Sequence, residues 1–138
     1  MLLWLRVFPL LTVPFALYVV MLIGGAGVLA SGHAPVLQIH MATGGVLALN
    51  GGDIVSIVMI VALGLDFGAT ANSGTASIVR LCLDGALAVA FVLLLLLVAP
   101  FATASFFLLT VGALLEFMIG AGIMAVSARR DVSYGSDR

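Results

Sequence analysis

The run Leu81–Pro100, LCLDGALAVAFVLLLLLVAP, followed without a spacer by Phe101–Val126, FATASFFLLTVGALLEFMIGAGIMAV, decides how the chain is read. A helix crosses a hydrocarbon core with about 20 apolar residues. Each run supplies them around a single acid, Asp84 in the first and Glu116 in the second. Pro100 cannot continue the backbone ladder, so the two helices are expected to return on one another as an antiparallel pair with almost no loop.

Two more stretches lie upstream. One covers about 8–29, with Trp4 and Arg6 ahead of it as interfacial anchors. Pro9 falls at its start, and Pro14 is placed where it should kink the helix. This run is longer than the 7–15 apolar residues of a signal peptide, so it reads as a retained anchor. The other, the weakest, is built on the uncharged run Ile54–Leu65 and covers about 53–71. With the later pair at about 79–99 and 101–126, the expectation is an all-α membrane protein. Four antiparallel transmembrane helices form one domain over 1–130, with a short polar tail at 131–138.

Composition supports that reading. Of 138 residues 64% are hydrophobic and 8% charged, against about 45–50% apolar and about 25% charged in a soluble domain. The surplus cannot be hidden inside a body of this size. The net charge of −1, with all five cations Arg and no basic run, excludes a phosphate-tracking nucleic-acid binder. A lone Cys82 cannot build a disulfide frame or a cysteine zinc site. The arginines fix the orientation: Arg6, Arg80, Arg129 and Arg130 fall on one side of the four spans. The opposite loops, 30–52 and the turn at Pro100, contain no Lys or Arg. By the positive-inside rule both termini are cytoplasmic.

Between the first two spans the alternation of Leu37, Ile39 and Met41 with Gln38 and His40 has the period of a strand. A turn-like Ala42-Thr43-Gly44-Gly45 and a second short run, Val46–Leu49, complete an expected β-hairpin at about 36–49 on the periplasmic face.

Ionisable groups inside a membrane are expensive and point to function by default. Counting about 1.5 Å per residue from the cytoplasmic ends places Asp66 and Asp84 at similar shallow depths, with Glu116 much deeper, near the midplane. Arg80 is one turn before Asp84 and is expected to pair with it. Asp66 either shares Arg80 or ends its helix in water. No Arg is expected to reach Glu116, whose hydrogen-bonding partner is then Tyr18, at a similar depth on the first helix, ahead of Thr110. Gly112, Glu116 and Gly120 recur every four residues and form a flat strip for close helix packing, within the chain or against another subunit. In the outer loop His33, His40 and Asp53 invite a metal reading, but their spacing matches no compact ligand motif, and no metal or cofactor is expected. No arrangement of nucleophile, base and orienting group supports catalysis, so the chain reads as non-enzymatic.

The segments Thr103-Ala104-Ser105-Phe106-Phe107-Leu108-Leu109 and Ala128-Arg129-Arg130-Asp131, with Gly51-Gly52-Asp53 and Ser77-Ile78-Val79, resemble a family of small inner-membrane proteins common in alphaproteobacteria. The resemblance touches much of the chain from residue 51 onward. It implies a four-helix fold and a bacterial inner-membrane address, and it implies no reaction. The family pattern also has an acid near Glu116, and Asp-His where this chain has Arg80-Leu81, so no role for that position is carried over. The leading expectation is a non-enzymatic accessory or scaffold subunit held in the lipid bilayer against another membrane protein or a second copy of itself. The alternative is a small homo-oligomeric proton- or ion-coupled transporter or channel using Glu116, Asp66 and Asp84.

Overall fold

The computed structural model describes residues 9–25, 29, 35–42, 44–69 and 75–135, with side chains up to 66 and from 78 to 126. Trp4, Arg6 and His33 lie outside the described residues, as do the side chains of Arg129 and Arg130. The chain is mostly helical: α1 (Thr12–Gly24), a hairpin of β1 (Leu37–His40) and β2 (Val46–Leu49), α2 (Gly51–Ala69), α3 (Thr75–Leu97), a 3-10 turn (Ala99–Phe101) and α4 (Ala104–Gly135). Among the described residues two of the four helices, α3 and α4, are long and apolar enough to cross a membrane.

Helix limits differ from those read off hydropathy, and each shift has a local cause. The first helix is shorter than the apolar run 8–29 because Gly25, at φ 135°, leaves the helical region for one that favours glycine. Its start at Thr12 puts Pro14 in the first turn, where helical N–H groups have no partner to lose. The helix continues past Pro14 to Gly24. At α2, the Asn50 N–H donates to Asp53 Oδ2 at 2.8 Å, the return arm of a capping box, so the helix begins ahead of Asp53. Pro100 sits in the 3-10 turn, and α4 starts at Ala104 rather than at residue 101. Thr103 caps it, its Oγ1 accepting from the Phe106 N–H at 3.2 Å.

The hairpin is antiparallel, with Leu37 opposite Leu49, Ile39 opposite Leu47 and His40 opposite Val46. Gly44, at φ 82°, closes the turn by donating its N–H to Met41 O at 2.9 Å. The register puts Leu37, Ile39 and Leu47 on one face, and all three remain exposed.

Among the helices, α1 packs on α2, α2 on α4, and α4 on α3. The interior at the Pro100 end is aromatic: Phe15 lies 4.8 Å from Phe91 and Tyr18 5.1 Å from Phe106, between ring centres. The Tyr18 hydroxyl donates to Pro100 O at 3.2 Å and lies 2.8 Å from Thr103 Oγ1. Val55, Met59, Ala88, Leu109 and Ala113 continue the buried core. Close approach at the head of α2 depends on Gly52, where a Cβ would collide with Ser105 Oγ and lie 3.4 Å from the Leu29 carbonyl.

That crowding gives a direct test. Gly52→Ala should lower the unfolding free energy in mixed micelles by about 1–3 kcal/mol, the usual cost of overpacking. A Ser105→Ala background should recover most of the loss, and equal losses in both backgrounds would show that the two helices do not meet there.

Candidate functional site

Four buried ionisable side chains from three helices meet in one cluster. Asp66 projects from the last turns of α2, Arg80 and Asp84 lie one turn apart on α3, and Glu116 comes from the middle of α4. Spacing of four residues places Arg80 and Asp84 on the same helix face. Their side chains are 7% and 5% exposed, with Asp66 at 1% and Glu116 at 6%.

Arg80 is the hub. Its Nη2 is ion-paired with Asp66 Oδ1 and lies 3.5 Å from Glu116 Oε1. Its Nε is 3.9 Å from Asp84 Oδ2. Asp66 Oδ2 accepts the Leu10 N–H at 3.1 Å, immediately ahead of α1, and Asp66 Oδ1 and Glu116 Oε1 both face the same Arg80 Nη2. All four helices are therefore tied to one node. Within it Asp84 Oδ1 and Glu116 Oε1 are both buried with no hydrogen bond.

This arrangement corrects the expected partners of Glu116. Arg80 does reach it, and Tyr18 does not. The depth count assumed helices beginning and ending at the edges of the apolar runs. In the structure α3 starts at Thr75 and α4 continues to Gly135, so Arg80 is already well inside its helix and Glu116 is far from the end of its own. Tyr18 is eight residues beyond Leu10, which touches Asp66, and so stands about 12 Å along the helix from the cluster. There it serves the turn at Pro100 instead. Thr110 is also engaged elsewhere, donating to Phe106 O at 2.9 Å.

Glycines bring the helices close enough for the node to form. A Cβ at Gly112 would lie 2.8 Å from Met59 Sδ on α2, and one at Gly120 would lie 3.1 Å from Leu81 Cδ1 on α3. The strip on either side of Glu116 thus seats helices of the same chain. Gly85, whose Cβ would lie 2.9 Å from the Phe117 ring, does the same for α3 against α4. It was not singled out from the sequence, where its only signal is its place beside Asp84.

Of the outer-loop candidates, His33 lies outside the described residues. His40 is exposed at the end of β1, and Asp53 is occupied by the α2 cap. Among the described residues no group of three His, Cys, Asp or Glu could hold a metal ion.

Removing the hub leaves buried acids without a counter-charge, a loss of about 3–5 kcal/mol for a buried pair. Arg80→Met should therefore fall sharply in thermal stability in detergent. Combining it with Asp66→Asn, Asp84→Asn and Glu116→Gln should restore most of the loss, and an Arg80→Met protein as stable as wild type would show the ion pairs to be energetically idle. No protein-family model, curated protein or solved structure matches the chain.

Proposed function

We propose that the chain is a four-span bacterial inner-membrane protein, with both termini cytoplasmic, that acts as an ion-coupled carrier through Asp66, Arg80, Asp84 and Glu116. The observation that carries this reading is the cluster itself: three acids share one arginine inside an apolar bundle, where charged groups are costly and characteristically belong to ion or proton pathways. The antiparallel order of the helices and the lack of charge over residues 35–50 agree with the proposed orientation, which puts the cluster nearer the cytoplasm. At about 1.5 Å per residue α1 covers about 20 Å, so its crossing draws on the residues that flank it. Four short helices enclose too little space for a pathway, and the working unit in this reading is a homo-oligomer.

The test is flux. Purified protein in liposomes should dissipate an imposed proton or sodium gradient, and Glu116→Gln should reduce the rate to that of empty vesicles while preserving the mass of the intact particle. A variant that carries flux at the wild-type rate would sink the carrier reading.

A second reading, an accessory or scaffold subunit without enzymatic activity, is favoured by the hairpin. Leu37, Ile39 and Leu47 stand exposed on one face, and unpaired strand edges invite another strand. A photo-crosslinker in place of His40 should then capture one defined membrane protein, or a second copy of the chain, in native membranes. Capture of neither would count against a docking role.

A further inference from the structure

Of the three acids around Arg80, Asp84 is held at the longest distance. Arg80 Nη2 serves Asp66 and Glu116, and Asp66 additionally takes the Leu10 N–H. Asp84 has only the 3.9 Å approach of its Oδ2 to Arg80 Nε, beyond hydrogen-bonding distance. Its Oδ1, like Glu116 Oε1, is buried without a hydrogen bond, which leaves the desolvation of a carboxylate uncompensated, and of the three acids Asp84 stands farthest from the guanidinium. The charged and titratable groups described at the cluster are Asp66 from α2, Arg80 and Asp84 from α3, and Glu116 from α4, while α1 presents the backbone N–H of Leu10. With every acid ionised, three negative charges and one positive leave a formal charge of −2.

We infer that this cluster takes up protons rather than a metal cation, and that Asp84 is the acid that exchanges its proton with water. The inference rests on the reading of the cluster as an ion site and names the ion. A hard metal cation needs a shell of several oxygens around it, whereas here a fixed guanidinium already stands among the carboxylates and repels a second cation. A proton needs one lone pair and no cavity. On uptake, hydronium transfers its proton to Asp84 Oδ1, an O–H bond forms, and water leaves. A second proton goes to Asp66 and Glu116, two carboxyls that face the single Arg80 Nη2 and outnumber its one positive charge. Two protons bring the formal charge of −2 to zero.

Infrared difference spectra of the full-length protein in lipid, recorded between acid and alkaline buffer, read this directly through the carboxylic C=O stretch. The wild-type spectrum should contain a carboxylic band that disappears on alkalinisation. Asp84→Asn should lose that band while retaining carboxylic intensity from the Asp66–Glu116 pair, and Asp84→Glu should move the band rather than abolish it. A titrating band that survives unchanged in Asp84→Asn would overturn the assignment. Sodium chloride added to wild type at constant pH should leave the band in place, and its abolition by sodium would overturn the choice of proton over metal. Because the spectrum reports occupancy and vesicle flux reports transport, loss of the band in Asp84→Asn supports the inference whatever the flux reads.

Discussion

One guanidinium placed among three carboxylates is the constraint to which the rest of the bundle answers. Arg80 can serve Asp66 and Glu116 from a single nitrogen only if α2, α3 and α4 converge at one level, and convergence needs backbones that approach closely. Gly112 and Gly120 flank Glu116 by one turn on either side, and a side chain at either would press on Met59 or Leu81. Gly85, beside Asp84, makes room for Phe117. The small residues and the charged ones are thus parts of a single arrangement. The ion pairs need the proximity that the glycines permit, and the glycines would leave unfilled space without the packing that the ion pairs hold in place.

The two ends of the bundle are organised by different physics. Near the Pro100 turn the helices are held by rings: Phe15, Tyr18, Phe91, Phe101 and Phe106 lie within 4.8–6.5 Å of their neighbours. The one polar group in that set, the Tyr18 hydroxyl, is satisfied by Pro100 O and Thr103 Oγ1. Such contacts are tolerant, since aromatic pairs are worth about 0.5–1.5 kcal/mol each beyond their buried area and accept a range of tilts. At the other end the cluster is intolerant. A displaced Arg80 leaves buried charge uncompensated, and Leu10, the entry to α1, is anchored to the same acid that Arg80 holds.

Much of this architecture was legible from residues alone, and the parts that were not share a reason. The alternation over Leu37–Met41 and the break at Pro100 are local signals. They correspond to the hairpin and to the turn between α3 and α4. The i, i+4 spacing of Arg80 and Asp84 is likewise local, although the resulting contact, at 3.9 Å, is the longest in the cluster. What hydropathy cannot supply is the rotation of each helix about its axis, or its displacement along that axis. Counting from the edges of the apolar runs pairs Glu116 with Tyr18. Helices begin and end where caps and turns allow, at Thr103, Asn50 and Gly25, and an error of a few residues in each count moves a side chain by a full turn. Asp66 could be placed beside Arg80 as one of two alternatives, because both lie close to the same connection. Its bond to Leu10 joins residues 56 apart, and no local pattern announces it.

Whether the cluster serves packing or ion chemistry is a false division for a node of this kind. Asp66 binds the N–H that precedes α1, Arg80 binds Asp66 and Glu116, and these acids belong to helices that pack on one another. A change in the charge of any member alters the balance that holds four helices at one level. If the cluster binds an ion as proposed, linkage makes the coupling between its occupancy and the placement of the helices reciprocal. A rigid hydrophobic seam would give stability without that reciprocity. The imbalance of three acids to one arginine provides it, because the state of lowest charge and the state of full ion pairing are different states. In the proposed reading of the cluster as an ion site, the geometry that holds the bundle together is therefore also the geometry through which uptake would be felt at the entry to α1.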